Sequence, residues 1–325
     1  MQSSFTLVGT VLACIAAGCT TPLPQQPADA GSPAPSPSPS PSLSLLAPGS
    51  RQVSLPFELQ DGFILLPAEL RGVPGVLLFD TGTPFPLLVN NTVVPLALIG
   101  PGSPGAAGSG QTFRIHRHAD VGPVSLGGER FAHTGAVISG DIGWLNQVFR
   151  ASFLGFAGQP LVREHEMLID YQSRQLSLFR LDAEGRPLAP HTPGRDGGVT
   201  LPFEGFDAGR VNLPYVMAEV AGVRIEVMFD TGTNGSLNLS SEGRRALEAA
   251  GALRPAGPGL YTLDGLRLGG QPAPNRFPAP TDGPQNRLTM GYASLALYRS
   301  IWNYPRGEIT LIPLHQPAPP SPAAP

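Results

Sequence analysis

Phe79-Asp80-Thr81-Gly82-Thr83 recurs as Phe229-Asp230-Thr231-Gly232-Thr233. Each copy closes an apolar run, Val76-Leu77-Leu78-Phe79 in one case and Val227-Met228-Phe229 in the other. Upstream of each lies one phrase in two versions, Val53-Ser54-Leu55-Pro56-Phe57-Glu58 and Val199-Thr200-Leu201-Pro202-Phe203-Glu204. Downstream, Ile169-Asp170-Tyr171 and the seven residues after it align without a gap on Trp302-Asn303-Tyr304 and its seven successors. The motif therefore sits inside a duplicated domain.

An apolar strand ending in Asp-Thr-Gly-Thr places a carboxylate where a buried strand turns. Glycine lets backbone amides come close, and Asp and Thr tolerate tight side-chain-to-backbone bonding there. Two such loops facing each other across a pseudo-twofold axis make Asp80 and Asp230 neighbours. Like charges that close cannot both ionise, so the pair holds one proton. One carboxylate can then take a proton from water while the other donates to a carbonyl oxygen. This chemistry calls for no metal and no cofactor.

On these residues the chain resembles the pepsin/retropepsin superfamily of aspartic peptidases, particularly its small bacterial two-lobed forms, over about residues 53–313. The resemblance implies an all-β, bilobal acid-protease fold with an internal pseudo-twofold repeat. It assigns the catalytic dyad to Asp80 and Asp230. It gives Thr81 and Thr231 the task of tying the loops together, and Thr83 and Thr233 that of hydrogen-bonding their own carboxylates. Gly82 and Gly232 complete the two loops. The family also supports each loop with a hydrophobic-hydrophobic-Gly element. Thr289-Met290-Gly291 fills that place in the second half, with Thr an imperfect match. In the first half Phe153-Leu154-Gly155 and Phe156-Ala157-Gly158 both qualify; spacing favours Gly158 and residue pattern favours Gly155. Pepsin-like members carry a flap tyrosine, and no Tyr lies between Asp80 and Tyr171. The flap is expected as a hairpin around 113–126, in the manner of retroviral flaps that work without that residue.

The chain has 325 residues, room for a large core in one domain or two small ones. A net charge of -3 argues against nucleic acid or an acidic membrane surface as the main partner. Every basic residue apart from histidine is Arg, and Gly and Pro are abundant. Residues 1–18 read as an export signal, with a short apolar run too brief to span a bilayer. Ala16-Ala17-Gly18-Cys19 resembles a bacterial lipoprotein cleavage box with Cys19 as the lipidated residue. It departs from that pattern in having Ala three residues before the Cys and no basic residue before the apolar run. Cys14 and Cys19 are the only cysteines, so no internal disulfide is expected after cleavage. Residues 19–50 are Pro- and Ser-rich and read as a tether without a core.

From 51 to 181 short β-rich runs alternate with Gly and Pro, the mark of a first lobe. Strands are expected at 53–58, 63–70, 73–79, 87–89, 121–126, 134–139, 166–170 and 175–180, with a loop at 101–110. Residues 182–198 read as an inter-lobe linker, 199–315 as the second lobe and 316–325 as a Pro/Ala tail. The second lobe adds a helix over 242–250, with Ser241 as N-cap and Gly251 as its stop.

The remaining candidates carry less. His116 and His118 share a strand face and with His133 have a spacing that can bind metal. With no acidic or Cys partner at ligand spacing they read as surface or flap histidines. The glycines near Gly102 lack the Lys and helix of a phosphate loop. Trp144 and Trp302 read as packing residues. The resulting expectation is an exported, lipid-tethered, monomeric aspartic peptidase acting on peptide or protein substrates without cofactor or metal. Its rival is a catalytically inactive binding protein on the same fold, since fold alone does not establish activity.

Overall fold

The computed structural model describes residues 45–98, 100–107, 110–131, 137–191, 197–203 and 213–314. The signal segment, Cys19, most of the Pro-rich stretch, His133, residues 192–196 and the tail lie outside them. Among the described residues about 49% are strand and two α-helices occur, and the architecture is all-β and two-lobed.

The first lobe is built on a ten-stranded sheet whose middle holds the strand Val73–Asp80. That strand runs antiparallel to Phe63–Leu70 and parallel to Phe153–Gly158. Its continuous apolar run follows from burial on both faces. Leu77 and Phe79 point into the main core, while Val76 and Leu78 point into a second cluster with Phe63, Phe153 and Phe156. The second lobe repeats this core: Val223–Phe229 lies between Tyr215–Val220 and Arg287–Met290. Ile225, Val227 and Phe229 join the main core, whereas Met228 meets only a small cluster with Leu213 and Tyr215.

A six-stranded sheet joins the lobes. Its order is Gln52–Pro56, Gln175–Phe179, Glu166–Asp170, Tyr298–Asn303, Glu308–Pro313, Val199–Pro202, which reads the same from either end under the repeat. At its centre Leu168 pairs with Ile301, its own counterpart in the duplication. The pseudo-twofold axis passes through that pair.

Four expectations change. The 101–110 loop contains a strand, Ser103–Ala106, at the sheet edge. Among the described residues it pairs only with Thr112–His118, and Pro104 is tolerated because an edge strand leaves one side of its backbone unpaired. No hairpin spans 113–126. Thr112–His118 pairs with Ser103–Ala106 and Val137–Gly140, while Val124–Leu126 pairs with Phe63–Leu70 and Glu129–Phe131. Between them Asp120 accepts from the Gly122 N–H, and Gly122 sits at φ 76°, turning the chain to another part of the sheet. The helix is Ser241–Ala249 and its cap is Ser240, not Ser241. Ser240 is the last extended residue, and its hydroxyl accepts the Gly243 N–H at 3.0 Å. Lastly, residues 45–50 are packed onto the body rather than tethering it. Leu45 and Leu46 are buried, and the Arg180 guanidinium donates to the carbonyls of Leu46, Ala47 and Ser50.

Candidate active site

The two Asp-Thr-Gly-Thr loops meet where the central strands of the lobes end. Asp80 and Asp230 are buried, and their carboxyl groups are hydrogen-bonded neighbours. The loops lock each other through an exchange of hydroxyls. The Thr81 N–H donates to Thr231 Oγ1 at 3.0 Å, and the Thr231 N–H donates to Thr81 Oγ1 at 3.1 Å. The Thr231 hydroxyl in turn donates to the Phe79 carbonyl at 3.0 Å, so a single side chain satisfies two buried backbone groups of the other lobe.

Each carboxyl is also held by its own loop. The Gly82 N–H donates to Asp80 Oδ1 at 2.7 Å, and the Gly232 N–H donates to Asp230 Oδ1 at 2.8 Å. A side chain at Gly82 or Gly232 would run into the carboxyl pair. The fourth residues differ between halves. The Thr83 hydroxyl donates to Asp80 Oδ2 at 2.7 Å, whereas Thr233 Oγ1 accepts the Gly235 N–H at 3.1 Å.

Desolvation, and then the charge of Asp230, push the Asp80 carboxyl up to about 8. The hydrogen bonds from Thr83 and Gly82 oppose that shift by favouring the ionised form. The net result is a carboxyl that is protonated at neutral pH beside a second carboxyl.

The supporting glycine of the first half is Gly158. It pairs with Asp80 across the parallel strands, and the Gln159 N–H donates to the Thr83 carbonyl at 3.2 Å. In the second half the Tyr292 N–H, one residue after Gly291, donates to the Thr233 carbonyl at 2.9 Å. Added Cβ atoms at Gly158 and Gly291 would collide with those same carbonyls, so the close approach requires glycine at both.

Beneath the loops lies a symmetric aromatic floor whose role the sequence reading left unassigned. Tyr171 meets Phe57 edge-on at 6.0 Å, and its counterpart Tyr304 meets Phe203 at 5.8 Å. Burial and the negative charge of Asp230 raise both phenols above their usual range, with Tyr292 adding to the effect at Tyr171 and Asp80 at Tyr304. The signal was present in the two repeated phrases, which supply the two partners of each ring pair.

Other candidates fall away from this centre. His116 and His118 are buried, not surface residues, because their strand lies between two neighbours in the sheet. His118 Nε2 and Ser139 Oγ are 2.8 Å apart. Among the described residues no group of three or more His, Cys, Asp or Glu side chains could hold a metal ion. Trp302 is fully buried and donates to Ser300, as a packing residue would.

No family model matches the chain, and no curated protein does. Solved structures are similar at low identity. A basic 7S globulin from soybean aligns with TM-score 0.45 and 13% identity, covering 81% of this chain and 95% of its own. An aspartic proteinase from Irpex lacteus aligns with TM-score 0.47 and 12% identity, covering 81% and 98%.

Proposed function

We propose that this chain is an aspartic endopeptidase in which Asp80 and Asp230 activate a water between them. The observation that carries the reading is the contact of two buried carboxyls, one of them raised, each fixed by a backbone N–H. An assembly kept only for packing has little reason to retain two like acids in a dry site, since buried carboxylates are costly. In the reaction the ionised carboxyl takes a proton from water as its oxygen attacks the peptide carbonyl carbon. The protonated carboxyl gives its proton to the carbonyl oxygen, forming a tetrahedral diol. Collapse of the diol, with proton transfer to the leaving nitrogen, breaks the C–N bond and restores the single shared proton.

The reading extends to location. The apolar N-terminal run and the small-residue box before Cys19 support export and lipid attachment at that cysteine, with the Pro-rich stretch holding the body away from the membrane. A fatty-acid analogue supplied to cells should label the wild type and leave Cys19→Ser unlabelled. Equal labelling of the two, or of neither, removes the lipoprotein claim alone.

For the chemistry the test is a purified 45–315 fragment given a random peptide library. Asp80→Asn and Asp230→Asn should each lower turnover by at least about 10²–10⁴-fold. The double variant should be little worse than either, because the pair acts as a unit. A statine-type transition-state mimic should inhibit, and a chelator should not. Asn variants that cleave as well as the wild type would replace this reading with that of a binding protein.

A further inference from the structure

The two dyad loops part company just after their fourth residues. Pro84 follows Thr83 in the first loop, and Asn234 follows Thr233 in the second. Proline has no side-chain donor, whereas the Asn234 amide reaches the other lobe, its Nδ2 donating to the Asp61 carbonyl at 3.0 Å. Only the nitrogen of that amide can face a carbonyl, which fixes how the side chain is turned. A Cβ added at Gly62 would collide with Asn234 Oδ1 and with the Tyr292 ring, so the first lobe meets the second here without a side chain between them.

The acceptor is held firmly by its own lobe. Asp61 and Gly62 form the two-residue turn between Glu58–Gln60 and Phe63–Leu70, at φ 52° and 89°, the pair of left-handed residues that so tight a hairpin demands. Beside the turn, Gln60 Nε2 donates to the Val148 carbonyl at 2.8 Å and its Oε1 accepts the Arg150 N–H at 3.0 Å. Phe63 meets Phe149 edge-on at 6.2 Å, and Phe149 stacks on Phe153 at 4.7 Å. On its own lobe the second loop rests on the short helix Tyr292–Leu295. The Thr233 and Asn234 carbonyls accept the Tyr292 and Ala293 N–H groups at 2.9 and 3.2 Å.

We propose that Asn234 is a positioning residue that registers the Asp230 loop on the first lobe, so that the spacing of the two carboxyls is set in part from a turn outside both Asp-Thr-Gly-Thr motifs. The catalytic side of this inference rests on the peptidase reading and deepens it. The threonine exchange fastens the second loop to the first lobe at Thr231. Asn234 adds a second fastening farther along the same loop, and two points resist a rotation that one permits. Reaction geometry is sensitive to such small displacements: a shift of about 1 Å caused far from the reacting atoms can cost about 10²-fold in rate.

Full-chain Asn234→Ala and Asn234→Ser, neither of which can reach Asp61, test the proposal in two ways. On a peptide that the wild type cleaves, each should lower kcat at least about tenfold. KM should stay within about twofold, because the lost interaction is not one with substrate. Independently of cleavage, the carboxyl carbon of Asp80 can be titrated by NMR. In the variants its midpoint should fall by at least about half a unit, since a drifting loop weakens both the burial and the Asp230 charge that raise it. A raised KM with unchanged kcat would make Asn234 a substrate contact and overturn the proposal. Unchanged kcat and KM overturn it too, as does an Asp80 midpoint equal to that of the wild type. A wild type that cleaves nothing, or an Asp80→Asn variant that cleaves as well, removes the peptidase reading by itself. The titration alone then decides, a lowered midpoint upholding the registering role and an equal one ending it.

Discussion

Moving Asp80 from water to its contact with Asp230 raises the pH at which it ionises, from an ordinary 3.8 to about 8. Folding therefore takes up a proton between those values. The stability this contributes is fully present below about pH 4 and is lost as pH rises through about 8, at up to about 1.4 kcal/mol per unit. Thermal unfolding across pH 4–9 should show the wild type losing ground to Asp80→Asn as pH increases. A constant gap between the two would contradict the assigned protonation. The threonine exchange makes a second residue-scale prediction. Thr81→Val leaves the Thr231 N–H buried without its acceptor, at a cost of about 1–3 kcal/mol in chemical denaturation. A smaller effect would mean that the loops are held by packing alone.

Among the elements, the helix Ser241–Ala249 offers a clean comparison because two adjacent serines compete for its cap. Ser240→Ala should lower stability by about 0.5–2 kcal/mol, while Ser241→Ala should fall within about ±0.5 kcal/mol. The reverse order in a melting experiment would restore the cap to Ser241. The neighbour was misjudged because composition cannot tell which of two serines is the last with extended backbone. The central strands were legible for the opposite reason, since Val76-Leu77-Leu78-Phe79 is buried on both faces and its chemistry is set by that alone. Ser103–Ala106 was not legible, because its pairing comes from Thr112–His118 and nothing within its own Ser-Pro-Gly-Ala demands a strand. The choice between Gly155 and Gly158 likewise needed the register, which puts only Gly158 opposite Asp80. The dyad itself could be read in advance because duplication wrote it twice. The approach of His191 to Glu166 occurs once, between residues distant in sequence, so no repeat announced it.

At the scale of the molecule, the body begins before its first strand. Leu45 and Leu46 enter the main core and Arg180 closes the turn behind them. Leu46→Ala should cost about 2–5 kcal/mol in equilibrium unfolding, whereas a solvated tether residue would cost nothing measurable.

The register at the seam bears on how a duplicated chain keeps its halves from choosing other companions. In the joined protein Glu166 stands opposite Asn303 and Asp170 opposite Arg299, with Leu168 and Ile301 at the pivot. Two copies of the first half, brought together about the same pivot, would set Glu166 against Asp170 twice, acid facing acid on adjacent strands. A single polypeptide that carries both halves does not need the self-matching that a symmetric pair of separate chains must keep. In charge, the two strands suit each other better than the first suits a copy of itself.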